Sequence, residues 1–240
     1  MIDTIICGDC LEIMPTLEDK SVDMILADLP YGVTACKWDT TLDLDLIWNE
    51  WRRICKGAIV CTATQPFGST LINSNIKQFR YELIWEKNYS INFLSANRQP
   101  LRNHENILVF YDRQPVYNPQ FKNGEPYTKK EKDNRPRTSN ADNRHKIPRT
   151  KKCYDGRRYP KSVMKFKNAN HNSKHPKQKP VALFEYLIKT YTNEGDTVLD
   201  PTAGSGTTAV ACKRSNRHYI CIEKEEEYCA IAEKRLKEML

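Results

Sequence analysis

The chain has 240 residues and a formal net charge of +8 at pH 7, a length that suits one core domain with a sizeable insertion. It contains no apolar run near the roughly 18 residues that a membrane-spanning helix needs, and its first residues do not resemble a signal peptide, so we expect a soluble, cytoplasmic protein. The nine cysteines are scattered and odd in number, which argues against a disulfide framework. The CxxC pair Cys7 and Cys10 lacks the second pair or the histidines of a zinc site, so we expect no metal.

Strands and helices are predicted to alternate on both sides of the middle of the chain. The first half predicts strands at 4–7, 22–27, 58–62, 81–85 and 106–111, and helices at 10–16, 44–55 and 67–79. The second half predicts helices at 181–192, 207–214 and 225–239, and strands at 196–199 and 219–222. This alternation indicates an α/β fold with a largely parallel sheet, and the neighbouring strands 81–85 and 106–111 are typical of an antiparallel edge hairpin.

The second predicted strand delivers the string Asp28-Leu29-Pro30-Tyr31, which suits chemistry on an aromatic amine. The nitrogen of such an amine is a poor nucleophile because its lone pair is delocalised into the ring. The Asp28 carboxylate can accept one amine hydrogen and the carbonyl of Leu29 or Pro30 the other, which aims the lone pair at an electrophilic methyl group. Pro30 would hold the turn rigid, and Tyr31 would stack on a base that has swung out of its duplex. The alternative is an ordinary strand-to-loop turn, since Asp and Pro are common turn residues.

The positive charge is concentrated in the middle of the chain. Residues 113–179 contain 20 Lys and Arg against 5 acids, which leaves 18 basic and 25 acidic residues elsewhere. Six aromatic residues are interleaved with these cations: Tyr117, Phe121, Tyr127, Tyr154, Tyr159 and Phe166. A solvated or disordered loop, centred on about 129–152, is one reading. The other is a nucleic-acid surface, because cations neutralise phosphates while amides, Arg and aromatic rings reach or stack on bases.

A second motif runs from Asp200 to Thr208, between a predicted strand and a predicted helix. Gly204 and Gly206 let the backbone approach a ligand closely, and their place sets that ligand at the carboxyl end of the strand. Glu223 ends the next strand, where a carboxylate can accept hydrogen bonds from two ribose hydroxyls, although it could also be a first-turn acid of the last helix. The motif predicts a nucleoside-binding crevice. A dinucleotide is an alternative ligand, but the third glycine of its fingerprint is absent.

The order of these features resembles that of S-adenosylmethionine-dependent DNA amino-methyltransferases of the beta class. Members place a (D/N/S)PP(Y/F) motif first, a target-recognition region next and a glycine-bearing cofactor motif last. The resemblance covers most of the chain outside the basic segment. It implies a Rossmann-like methyltransferase sheet with circularly permuted motif order, in which 1–112 is the catalytic half, 113–174 the target-recognition insertion and 175–240 the cofactor-binding half.

Two further segments carry the same resemblance. Cys7-Gly8-Asp9-Cys10-Leu11 is similar to the family's GD segment, which contacts the cofactor adenine, and His175-Pro176-Lys177-Gln178-Lys179-Pro180 is similar to the element whose lysine faces the methionine end of the cofactor. The strand that begins at His104 also resembles one of the family and is interpreted as structural. The catalytic residues that the resemblance implies are Asp28, Pro30 and Tyr31. The implied cofactor-binding residues are Asp9, Cys10, Lys179, Asp200, Thr202, Gly204, Gly206, Thr207 and Glu223.

The resemblance implies S-adenosylmethionine as the cofactor and double-stranded DNA as the partner, and it allows a homodimer; a restriction partner stays unidentified. Leu29 replaces the first proline of the motif, but the hydrogen-bond acceptors are retained. Asp at position 28 resembles the adenine-N6 members, and Gly32 with Trp38-Asp39 resembles phage-type enzymes. We therefore expect an adenine-N6 DNA methyltransferase. The alternatives are a cytosine-N4 enzyme, an RNA or protein methyltransferase, whose usual motif order is reversed, a catalytically silent DNA-binding module, and a nicotinamide oxidoreductase.

Overall fold

The computed structural model describes residues 2–31, 42–126, 155–169 and 178–239. The helices are α1 (Cys10–Ile13), α2 (Leu44–Ile54), α3 (Phe67–Ser74), α4 (Val181–Tyr191), α5 (Thr207–Arg214) and α6 (Glu226–Lys237). The strands are β1 (Thr4–Cys7), β2 (Val22–Ala27), β3 (Cys55–Ala63), β4 (Phe79–Ile91), β5 (Arg102–Phe110), β6 (Lys122–Asn123), β7 (Arg157–Arg158), β8 (Val163–Lys165), β9 (Thr197–Asp200) and β10 (His218–Glu223). Two short 3-10 helices cover Met14–Thr16 and Phe93–Ser95.

Eight of the strands form one sheet, in the order β1-β10-β9-β2-β3-β5-β4-β8. Every pair is parallel except the two that β5 makes with β3 and with β4. Alternate residues of β2 enter two different apolar clusters, Ile25 on one face and Met24 and Leu26 on the other, so helices cover both faces as in other parallel sheets. The predicted α/β class, the mostly parallel sheet and the antiparallel hairpin are confirmed. The short β8, which the sequence did not predict, pairs outside the hairpin.

The clearest differences from the sequence prediction are at the end of α3 and in the lengths of β4 and β5. The helix predicted at 67–79 ends at Ser74, because Asn75 leaves the helical conformation and its side-chain amide donates to Gln78 Oε1 at 2.7 Å. The strands predicted at 81–85 and 106–111 are longer and form a hairpin that remains paired as far as Ile91 and Arg102. Most of the added residues are polar and are held by cross-strand hydrogen bonds and by the buried ion pair of Lys87 with Glu105, so hydrophobic alternation does not reveal them.

The chain divides into two compact units, one comprising Met1–Asn118 and Lys161–Leu240, the other Pro119–Pro160. In the described part of the smaller unit, β6 pairs antiparallel with β7, and the Phe121 and Tyr159 rings lie 4.8 Å apart. The Arg157 guanidinium lies 5.2 Å from the centre of the Phe121 ring. The stretch 129–152, together with Tyr127 and Tyr154, lies outside the described residues. The functional boundaries at 113 and 174 stay a prediction.

The described residues contain no helix that has both the length and the apolar composition to cross a bilayer. The seven cysteines among them are free thiols, of which Cys7 is exposed and the other six are buried. Burial raises the pKa of the Cys10 thiol to about 11. In the part of the chain that the structure describes, no three His, Cys, Asp or Glu side chains come together as a metal-binding group.

Candidate active site

The candidate site lies where the parallel strands β1, β2, β9 and β10 end. Because the carboxyl ends of parallel strands meet at one edge of a sheet, the loops after these four strands surround a common crevice. They line a cavity of about 230 Å³. Eleven of the twelve predicted site residues line it: Asp9, Cys10, Asp28, Pro30, Tyr31, Lys179, Asp200, Thr202, Gly204, Thr207 and Glu223. Gly206 does not. Gln178, Phe184 and Tyr228 also line the cavity and were not predicted.

Asp28 follows β2 directly, and its carboxylate is held by three side chains, one from its own loop and two from other segments. Its Oδ1 accepts hydrogen bonds from the Tyr31 hydroxyl, at 2.8 Å, and from the Thr62 hydroxyl on β3. Its Oδ2 lies 2.9 Å from Lys179 Nζ. These contacts fix the orientation of the side chain. It is 26% exposed and still reaches the cavity. One oxygen is therefore held by neutral donors and the other by a cation.

Lys179 belongs to a chain of four alternating charges. Its Nζ lies 3.1 Å from Glu105 Oε2, and Glu105 Oε1 lies 2.5 Å from Lys87 Nζ. These three side chains are each at most 10% exposed. Burial by itself lowers the pKa of Lys179, but the charges of Asp28, Tyr31 and Glu105 outweigh it and raise that pKa well above the usual value. The chain of charges therefore keeps Lys179 protonated beside Asp28.

Glu105 and Lys87 are functional candidates that the sequence analysis missed. Burial by itself raises the pKa of Glu105, but Lys179 and Lys87 more than offset this effect and lower the pKa below its usual value. The strand that carries Glu105 resembles one of the family and was expected to be structural. A carboxylate two residues before the apolar run of β5 was the available signal, because a buried charge requires a partner.

The remaining residues of the first motif are anchored in the core. The Tyr31 and Phe67 rings stack at 5.0 Å with an interplanar angle of 29°. Burial raises the pKa of Tyr31 well above its ordinary value, so its hydroxyl remains a donor to Asp28. Leu29 is 3% exposed and packs in an apolar cluster. An apolar anchor therefore stands where the family's motif has a proline.

The second motif is tied to the first through Asp200 and Thr202. Asp200 is buried at the end of β9, where its Oδ1 accepts the Thr202 amide hydrogen at 3.1 Å and its Oδ2 accepts the Thr208 hydroxyl. The Thr202 hydroxyl in turn donates to the backbone carbonyl of Asp28 at 3.1 Å. Burial raises the pKa of Asp200 to about 7. The glycine loop, which we define as residues 201–206 between β9 and α5, and the loop of Asp28 are thereby fixed against each other.

The raised pKa of Asp200 predicts a stability effect that an Asp200→Asn variant would isolate. The folded protein binds this proton more tightly than the unfolded chain, so between the ordinary pKa of 3.8 and about 7 stability falls as pH rises. Urea unfolding of both proteins at pH 4.5 and pH 8 should show asparagine gaining relative to aspartate at the higher pH. Asp45→Asn, a change at an exposed position of α2, controls for loss of a carboxylate. An equal difference at both pH values would contradict the assignment.

Two further acids of the cavity are positioned by backbone donors. Glu223, at the end of β10, accepts the Gly204 amide hydrogen at 2.7 Å and the Glu225 amide hydrogen at 2.9 Å. Asp9 accepts the Leu11 amide hydrogen at 2.9 Å, and its other oxygen lies 3.0 Å from Lys224 Nζ. The bond from Leu11 and the Lys224 charge lower the pKa of Asp9. Both acids are thus available to the cavity as oriented acceptors.

Comparison with known proteins places this geometry in a family. Residues 22–234 match a family described as DNA methylase. The chain is 30% identical over 253 residues to the type II methyltransferase M.HpaI of Haemophilus parainfluenzae, covering 97% of this chain and 73% of that protein. It is 27% identical to the type II methyltransferase M2.MboI of Moraxella bovis, covering 97% and 86%.

Solved structures give the same result. The crystal structure of the M1.HpyAVI–SAM complex aligns with a TM-score of 0.64 at 26% identity and covers 97% of this chain and 98% of that one. The cytosine-N4-specific PvuII DNA methyltransferase aligns with a TM-score of 0.70 at 15% identity, covering 97% and 85%, which supports the fold alone. Because the family match spans most of the chain and M.HpaI aligns over nearly all of it, the chain belongs to the S-adenosylmethionine-dependent DNA methyltransferases that act on amino groups.

Proposed function

We propose that this protein transfers a methyl group from S-adenosylmethionine to N6 of an adenine that has been flipped out of double-stranded DNA. The observation that carries the proposal is the position of Asp28, whose carboxylate lies at the cavity wall and whose backbone carbonyl accepts a hydrogen bond from Thr202 of the glycine loop. An aspartate at this motif position resembles the adenine-N6 members of the family. The basic segment 113–179 would supply the electrostatic attraction to DNA phosphates.

The glycine loop fits the proposed cofactor. Gly204 has φ +54°, and a Cβ built on it would meet no heavy atom within 4 Å, so its bare backbone borders the open cavity. Asp9, Asp200 and Glu223 supply carboxylate acceptors around the same space, and Lys179 lies beside Asp28. Bound S-adenosylmethionine would supply a methyl group on a sulfonium, which needs no acid to leave. The residues that would hold it are the cavity residues of the β1, β9 and β10 loops.

The protein's own part in the reaction is to hold the amine and accept its proton. Tyr31 and Thr62 fix Asp28 Oδ1, so Oδ2 is the oxygen that turns to the amine. Lys179 occupies Oδ2 but also contacts Glu105, which gives the lysine a second anion when the amine displaces it. The amine nitrogen would gain the methyl carbon as the carbon–sulfur bond of the sulfonium breaks to leave a neutral thioether, and the proton that the positive nitrogen loses would pass to the Asp28 carboxylate.

One experiment tests this assignment directly. The protein would be incubated with S-adenosylmethionine and unmethylated genomic DNA, and the modified base and its sequence context would be identified by mass spectrometry and sequencing. N6-methyladenine in a defined context is the expected product. N4-methylcytosine as the product would show that cytosine is the target base instead, whereas the absence of any methylated base in the DNA would refute the proposed activity.

The three glycines with positive φ in the cofactor-binding half allow a matched test of the cofactor loop. Gly204→Ala should weaken S-adenosylmethionine binding because its methyl group enters the cavity. Gly195→Ala has similar backbone strain, with φ +83° and no heavy atom within 4 Å, and should leave affinity unchanged. Gly206→Ala should mainly lower stability, because its Cβ would lie 2.6 Å from Ala232 Cβ on α6. Calorimetric titration and urea unfolding measure the two effects. Equal affinities for the Gly204 and Gly195 variants would contradict the placement.

A further inference from the structure

The β4–β5 hairpin carries a solvent-exposed apolar tip. Phe93 and Leu94 are 80% and 102% exposed, the two highest values among the large hydrophobic side chains that the structure describes. Tyr89 and Leu101, on the two arms of the same hairpin, are 45% and 37% exposed. Single exposed apolar residues are common, but adjacent ones on a projecting turn are typical of a surface that another molecule covers.

The sheet topology places this tip on the side of the candidate active site. β4 runs parallel to β3 and β2, because β5 is antiparallel to both β3 and β4. The hairpin therefore leaves the sheet at the edge where Asp28 stands. Its base carries Lys87 and Glu105, which connect through Lys179 to Asp28. Phe93 is six residues beyond Lys87, a reach of roughly 20 Å for an extended strand.

The charge of the hairpin indicates what covers the tip. No acidic residue occurs between Glu86 and Glu105, and although Lys87 is buried against Glu105, Arg98 and Arg102 add positive charge nearer the tip. The polar residues on the same stretch include five amides: Asn88, Asn92, Asn97, Gln99 and Asn103. Cations and amides without acids complement a polyanion.

We propose that Phe93 and Leu94 form a wedge that enters the DNA base stack and fills the space left by the flipped adenine, while Arg98 contacts the phosphates. This inference rests on the proposed function. Flipping a base costs stacking and pairing energy, and apolar side chains inserted between base steps are a known way of stabilising such a distorted duplex. The wedge stabilises the opened duplex, and the cavity around Asp28 receives the extruded base.

The test compares the double variant Phe93→Ala/Leu94→Ala with Ile76→Ala. Ile76 is 60% exposed and lies just before β4, at the opposite end of that strand. The substrate is a duplex with the target sequence found by the genomic methylation experiment. A second duplex has an abasic site opposite the target adenine, so its adenine flips at little cost. 2-Aminopurine at the target position reports unstacking by its fluorescence.

We expect the double variant to lose the fluorescence increase and about 10-fold or more of kcat/KM on the intact duplex, since it no longer fills the gap. On the abasic duplex it should stay within about 3-fold of the wild type, because flipping there needs little help. Ile76→Ala should match the wild type on both. Equal losses on both duplexes, or no loss, would overturn the wedge.

Two other results are distinguishable. If the double variant changes the molecular mass in sedimentation equilibrium but flips the base normally, the tip is a contact between copies of the chain and the wedge is wrong. Failure of the proposed function would appear differently, as absence of methyl transfer by the wild-type protein to any DNA. S-Adenosylmethionine binding by each variant checks that the fold is retained, and exposure of the tip makes unfolding an implausible cause of any loss.

Discussion

Replacement of Asp28 by alanine should lower the rate of methyl transfer by about 10³-fold or more. The change removes the carboxylate that accepts a hydrogen bond from the amine, orients its lone pair and receives its proton. Affinity for S-adenosylmethionine should stay within a few-fold of the wild type. The tie between the two loops uses the Asp28 backbone carbonyl, which accepts from Thr202 and survives the change to alanine. Lys179 keeps Glu105 as a partner at 3.1 Å, so the variant does not leave that lysine without a counter-charge.

Single-turnover kinetics with labelled cofactor would measure the transfer step, and calorimetry the cofactor affinity. Tyr31→Phe is the matched control, because it removes one hydrogen bond to Asp28 Oδ1 but retains the ring that stacks on Phe67. Its loss should be much smaller, about 10-fold, the scale of one hydrogen bond to a charged group. An alanine variant that keeps more than a tenth of the wild-type rate would show that Asp28 is not the acceptor.

The sequence predicted the part of the site that is built from strand ends. Asp28, Asp200 and Glu223 each terminate a strand or follow one directly, and in a parallel sheet such positions converge whatever their separation in the chain. The chemical role of each of these carboxylates also follows from the residue itself and from its immediate neighbours in the sequence. A strand pattern followed by an acid, a proline or a glycine was therefore sufficient to predict both the crevice and its main groups.

Thr62, which donates to Asp28, and the two charges beyond Lys179 could not be predicted in this way. Thr62, Glu105 and Lys87 lie inside strands, and their meeting depends on the strand order, with β5 between β3 and β4, and on the register. Gly204 and Gly206 look alike in sequence, but only the packing of α6 distinguishes them, since it brings Ala232 against Gly206. Contacts set by register and helix packing have no local signature.

The buried charges predict the largest effect on stability. Glu105→Gln should lower the free energy of unfolding by about 3 kcal/mol or more, since removing one partner of a buried ion pair leaves the remaining charges uncompensated. Here Lys87 would lose the carboxylate that lies 2.5 Å from its Nζ, and Lys179 would keep only Asp28 of its two anions. Glu185→Gln is the matched control: it breaks the more exposed pair with Lys189 on α4, whose side chains are 25% and 39% exposed, and should cost less than about 1 kcal/mol.

The pH dependence separates this electrostatic role from simple packing. The pKa of Glu105 is lowered in the folded protein, so its ionised form contributes stability above the pKa of the unfolded chain, and that contribution is lost as pH falls through the folded pKa. Urea unfolding from pH 7.5 down to pH 3.5 should therefore show the Gln variant and the wild type converging in acid, because protonated Glu105 resembles glutamine. A constant difference across that range would mean that the cost is steric and that the chain of charges does not stabilise the site. Convergence, together with slower methyl transfer at pH 7.5, would show that Glu105 serves as the second anion for Lys179 when the amine takes its place on Asp28.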